Sequence, residues 1–159
     1  MADSTGSHGE RVSYEDFGRR AANVRAAMAA LGAAVDASGL DKGLTELVKL
    51  RASQINGCAF CIQYHLSVMR KLGVPAAKID LLPAWREAGI YSPREKAALA
   101  WTETLTAMGP ESAPDAIHAQ VLEQFSPEEA LFLTVAIGTI NQWNRIAVGL
   151  RFAPHVAAS

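Results

Sequence analysis

The sequence predicts an all-α fold, a compact bundle of about seven helices in one domain. Three observations carry this reading. Apolar residues recur at spacings of three and four along most of the chain. No segment alternates apolar and polar residues as a half-buried strand does. A Ser-Pro-x-Glu helix start, with a polar cap, proline at the first helical position and glutamate at the third, occurs twice, at Ser92-Pro93-Arg94-Glu95 and Ser126-Pro127-Glu128-Glu129. Length agrees: 159 residues fit a single domain, and half of them are apolar, enough for a core that needs neither disulfide nor metal.

Taken in order, residues 1–11 read as a tail. The run MADSTGSHGE is small, polar and without periodicity, so the ordered domain is expected over 12–159. From Tyr14, the positions Phe17, Ala21, Val24, Met28 and Leu31 keep the helical period until Gly32 interrupts it, which predicts one first helix. A second spans Leu40 to Ile55, with Leu44, Leu47, Val48, Arg51 and Ile55 on one side and Asn56-Gly57 as its stop. The third runs from about Cys58 to Leu72, closed by Gly73 and Pro75. Ala76 to Leu82 is a short helix or turn. Ser92 opens a helix through Ala97, Trp101, Leu105 and Met108, Pro114 to Gln124 is a shorter one, and Ser126 opens a long one reaching about Leu150.

Charge and hydropathy narrow the function. Fifteen basic residues face 16 acidic ones with no run of either sign, so no nucleic-acid or acidic-membrane surface is predicted. The first ten residues lack the apolar core of a signal peptide, and no apolar stretch approaches the ~20 residues that span a bilayer. A cytoplasmic, soluble protein is expected, with no membrane partner.

Both cysteines fall in Cys58-Ala59-Phe60-Cys61, and this spacing in an intracellular chain points to redox or metal chemistry. No βαβ pattern surrounds it, which argues against a thioredoxin fold. At about 100° per residue, Cys58, Cys61 and His65 lie within roughly 60° on a helical wheel, so three reactive side chains share a face. Two arguments then diverge. Cys58 stands at the helix N-terminus, where free amides and the dipole favour a thiolate, whereas Cys61 lies one turn from His65, a candidate base. Spacing does not choose between them. Two competing readings are a pair of small buried residues and a structural zinc site. The latter wants four ligands, of which only these three are close in sequence.

The run Glu46-Leu-Val-Lys-Leu-Arg-Ala-Ser-Gln-Ile-Asn-Gly-Cys58-Ala-Phe-Cys61-Ile-Gln-Tyr-His65 resembles the signature of the alkylhydroperoxidase D-like, carboxymuconolactone decarboxylase superfamily. The resemblance implies an all-α fold assembled as a trimer or hexamer, a thiol peroxidase activity, and no cofactor. It implies Cys61 as the peroxidatic thiol, Cys58 as the resolving thiol, and Glu46 with His65 as a proton relay acting through a water. It also implies a hydroperoxide substrate and a dithiol reductant, in some members a lipoyl-bearing protein. One departure is Phe60, which stands where the best-known members carry a second histidine. Without the resemblance, Glu46 reads as a solvated residue off the Leu44/Leu47/Val48 stripe. Packed between helices, it is expected to have a raised pKa and to act as a base.

Other polar features carry less. Asn141-Gln142-Trp143-Asn144-Arg145 interrupts the apolar run of the last helix, read either as a satisfied hydrogen-bond network or as placing Asn144 or Arg145 at the cavity or at a subunit contact near the thiols. Trp85, Trp101 and Trp143 read as core or interface residues, and His8, His118 and His155 as surface. The rival functions are a cofactor-free lactone decarboxylase, which needs no CxxC, a redox-sensing or chaperone-like oligomer, and a metal-binding module.

Overall fold

The computed structural model describes residues 9–110 and 112–156; the tail up to His8 lies outside the described residues. Among those described there are eight α-helices and no strand: α1 Tyr14–Arg20, α2 Ala22–Ala37, α3 Lys42–Ile55, α4 Ala59–Lys71, α5 Ala76–Asp80, α6 Pro93–Thr106, α7 Asp115–Gln124 and α8 Pro127–Leu150. A one-turn 3-10 helix, Leu82–Ala84, follows α5. None of the helices is long and apolar enough to cross a membrane.

The two Ser-Pro-x-Glu starts behave as their chemistry dictates. At α6 and α8 the serine hydroxyl accepts from the glutamate's backbone N–H, and the glutamate carboxylate accepts from the serine's N–H. Asp41 caps α3 by accepting from Leu44 N–H at 2.8 Å.

One boundary differs from the expected one. The first helix is two, because the chain breaks at Ala21 (φ −123°, ψ 46°), and Gly32 is no stop but an interior residue of α2. A glycine between good helix formers, here Leu31 and Ala33, weakens a helix without ending it. The stop is Gly39, whose φ of 89° only glycine adopts freely.

The centre of the molecule is α3. Leu44 and Val48 pack with Trp101, Val121, Phe125, Leu133 and Ile137; Leu47 and Leu50 pack with Met69, Leu82, Trp85 and Leu99; Ala52 packs with Cys58, Phe60, Ile140 and Phe152. A helix enclosed by α4, α6 and α8 buries residues on every side, not on one stripe alone. At the rim, Arg11 and Val12 N–H both donate to Leu150 O, tying the start of the described chain to the end of α8.

Candidate functional site

The turn between α3 and α4 sets the dithiol. Gly57, at φ 65°, lets Cys58 N–H reach back to Ser53 O at 3.0 Å while its own N–H bonds Gln54 O at 3.2 Å. This is the Schellman pattern that satisfies the last carbonyls of a helix. The same Cys58 is the N-cap of α4, where its Sγ accepts from Cys61 N–H at 3.3 Å. One residue therefore ends α3, begins α4 and carries a sulfur. The two sulfurs are paired as a disulfide with Cα atoms 5.3 Å apart, inside the usual range.

The cysteines differ in what they meet. Cys58 is 1% exposed and packed against Ala52, Phe152 and their neighbours, whereas Cys61, 4% exposed, opens onto a cavity of about 440 Å³. The same cavity is lined by Glu46, His65, Phe60, Tyr64 and Trp143. Trp143, expected in the core or an interface, is half-buried and contributes to this wall; Trp85 and Trp101 are core residues.

Glu46 and His65, from α3 and α4, meet inside. Glu46 is 2% exposed and His65 7%. His65 Nδ1 lies 2.6 Å from Glu46 Oε2, which accepts the Nδ1 proton in the neutral imidazole and leaves Nε2 as the acceptor. The other carboxylate oxygen accepts from Lys49 Nζ at 2.8 Å, with Lys42 Nζ at 3.4 Å. The expected raised pKa does not materialise. Burial alone pushes the Glu46 carboxyl up, but the hydrogen bond of His65 and the charge it carries when protonated, joined by those of Lys49, hold it down to about 2. Glu46 is thus a fixed anion that orients His65, not a base that titrates near neutrality.

Phe60 serves packing. Its ring lies 5.0 Å from Tyr14, 5.4 Å from Phe152 and 5.7 Å from His155, so it ties α1 and the C-terminal segment to α4. Tyr64, exposed at the mouth, meets His65 edge-on at 5.2 Å. His118 and His155 are exposed, as expected, and His8 lies outside the described residues. No three His, Cys, Asp or Glu side chains converge as a metal site among the described residues.

In the polar insertion of α8, Asn141, Asn144 and Arg145 form a satisfied network and do not line the cavity; Trp143 is the residue of the five that does. Asn56 Nδ2 donates to Asn141 Oδ1 at 2.9 Å and to Asn144 Oδ1 at 2.8 Å, Asn144 donates to Ser53 Oγ, and Arg145 donates to Asn141. Because Asn56 and Ser53 belong to the turn that delivers Cys58, the network pins that turn to α8.

Sequence reasoning brought Cys58, Cys61, His65 and Glu46 into one site, and the structure places all four together. It missed Arg25, Lys42 and Lys49, which also line the cavity. The lysines were within reach, since Lys42, Glu46 and Lys49 recur at spacings of four and three on one helix. Arg25 carried no such signal.

Comparison with known proteins agrees with the all-helical fold. The profile of the carboxymuconolactone decarboxylase family matches residues 22–104. The uncharacterized protein YdfG of Bacillus subtilis (strain 168) is 42% identical over 113 residues, 71% of this chain and 77% of YdfG. A crystal structure from Agrobacterium tumefaciens, ATU0492, is of a protein of unknown function described as a candidate antioxidant defence protein AhpD. It superposes with a TM-score of 0.87 at 39% identity, over 94% of this chain and all of the other. An uncharacterized peroxidase-related protein from Ralstonia eutropha JMP134, with an alkylhydroperoxidase AhpD core, shares the fold. Its TM-score is 0.75 at 22% identity, over 87% of this chain and 74% of the other.

Proposed function

The chain belongs to the carboxymuconolactone decarboxylase family, and from that premise we propose that it is a thiol-dependent hydroperoxidase in which Cys61 attacks and Cys58 resolves. The observation that carries this reading is the asymmetry of the pair: Cys61 opens onto the cavity that Glu46 and His65 line, while Cys58 is sealed behind it. Membership of the family alone leaves a peroxidase-related or a decarboxylase-like activity. A decarboxylase has no use for a dithiol at the cavity wall, so the cysteines favour the peroxidase.

In the reduced form, His65 Nε2 takes the Cys61 proton, directly or through a water, and Glu46 stabilises the imidazolium. The Cys61 thiolate attacks the distal oxygen of the hydroperoxide. The S–O bond forms, the O–O bond breaks, and the departing alkoxide takes the proton held by His65 and leaves as the alcohol. Cys58 then attacks the Cys61 sulfenic acid, forming the disulfide and releasing water. An external dithiol reduces that disulfide by exchange and is itself oxidised. Lowering a thiol from its ordinary pKa of ~8.5 to near 7 raises the thiolate at pH 7 more than tenfold, within the reach of a helix start and a nearby base. The donor is proposed to be a small or lipoyl-type dithiol.

With tert-butyl hydroperoxide and a dithiol supplied, peroxide consumption is expected to disappear in Cys61→Ser and to continue more slowly in Cys58→Ser, where the external dithiol must reduce the Cys61 sulfenic acid itself. Undiminished turnover by Cys61→Ser sinks the assignment.

A further inference from the structure

Three cations line the cavity: Arg25, Lys42 and Lys49. The lysines are already neutralised. Lys42 Nζ holds the two oxygens of Asp36 at 2.6 and 2.8 Å, and Lys49 Nζ holds Glu46. Arg25 is different, because among the described residues no carboxylate lies within ion-pair distance of its guanidinium.

That guanidinium is nonetheless seated. It lies over the Tyr14 ring with Cζ 5.0 Å from the centroid. It also crosses α1 at Gly18, where a Cβ would stand 2.5 Å from Arg25 Nη1 and 3.1 Å from its Cδ. Gly18 lies within α1 with ordinary helical backbone, so no turn or left-handed φ requires a glycine there. The absent side chain makes room for Arg25. Beyond it, Met28, Ala29, Val68, Ile140 and Trp143 give the cavity an apolar wall.

We infer that the cavity selects a monoanionic substrate with an apolar body, and that Arg25 reads its carboxylate. A planar guanidinium without a counter-ion matches a carboxylate through two parallel hydrogen bonds. A single uncompensated charge beside an apolar wall suits one carboxylate on a hydrocarbon frame. The identity of the reacting end, a hydroperoxide, rests on the function proposed above; the binding of the carboxylate does not.

The test uses the full chain in its disulfide form. Calorimetric titration with 4-isopropylbenzoate and with its methyl ester is run on the wild type, Arg25→Gln and Gly18→Ala. The acid is expected to bind the wild type about tenfold tighter than the ester, the size of one charge-assisted hydrogen bond. Both variants should lose that preference. Gly18→Ala keeps the charge and favours the helix, so a loss there reports the position of Arg25 and not its removal. Equal binding of acid and ester by the wild type, binding of neither, or a preference retained in Arg25→Gln overturns the inference. A kinetic arm compares the para-carboxylate of cumene hydroperoxide with its methyl ester. The ratio of their kcat/KM values should fall about tenfold in Arg25→Gln. A fall for both substrates alike, with the ratio unchanged, means that Arg25 serves the Cys61 thiolate, and overturns the inference. No turnover of either hydroperoxide, with the binding preference intact, contradicts the peroxidase and upholds the carboxylate site.

Discussion

At the scale of single residues, Glu46 is where burial and charge oppose each other most strongly. An almost fully enclosed carboxylate ordinarily takes a proton; here His65 and Lys49 hold it ionised. Its pKa is depressed in the fold, so its contribution to stability is fully present above the unfolded value of 4.5. That contribution is lost as the pH falls through the folded value of about 2. Glu46→Gln should therefore cost on the order of 3 kcal/mol at pH 6, and the gap to wild type should narrow between pH 4.5 and pH 2. Urea unfolding across that range checks it, and a gap independent of pH contradicts the ionised pair. Glu46 was legible only through its place in a recognisable run of residues. Its wheel position, off the Leu44/Leu47/Val48 stripe, read as solvated because a single stripe assumes one buried face, and α3 has no free face. The sign of its pKa was not legible at all, since it depends on which side chains surround it.

Among the elements, the turn from α3 to α4 does the positioning. Nothing lies within 4 Å of a Cβ built on Gly57, so steric room is not what the glycine supplies; its φ of 65° is. Gly57→Ala is expected to destabilise the fold by about 1–2 kcal/mol, the cost of a left-handed residue with a side chain. It should slow disulfide formation after peroxide addition, because the strain falls on the residue before Cys58. Thermal unfolding and the rate of thiol loss measure the two effects, and a variant indistinguishable from wild type in both removes the turn from the account. Helix starts with their own hydrogen-bond grammar, at Ser92 and Ser126, were fully legible. The break at Ala21 was not, because alanine carries no signal for a bend and tertiary packing of α1 on Phe60 and Phe152 decides it.

For the whole molecule, the packing is radial: three apolar clusters share α3, and the cavity lies where α1, α2, α4 and α8 meet beside it. All-α order followed from periodicity alone, whereas the cavity is assembled by elements far apart in sequence. For that reason Arg25 and Trp143 were not associated with the thiols beforehand. On its outer side α2 carries exposed Val24 and Leu31 among alanines, an apolar surface of the kind that subunits bury. We propose a homo-oligomer, and sedimentation equilibrium should return a mass three or six times 17.0 kDa. A monomer at micromolar concentration contradicts it.

The central claim is the direction of attack: Cys61 meets the peroxide and Cys58 comes second. It is tested most directly by trapping the first oxidised sulfur, treating each reduced single-cysteine variant with one equivalent of hydroperoxide in the presence of dimedone and locating the adduct by mass spectrometry. Rapid labelling of Cys61 is expected in Cys58→Ser, and little or none of Cys58 in Cys61→Ser. Faster labelling of Cys58 would contradict the claim.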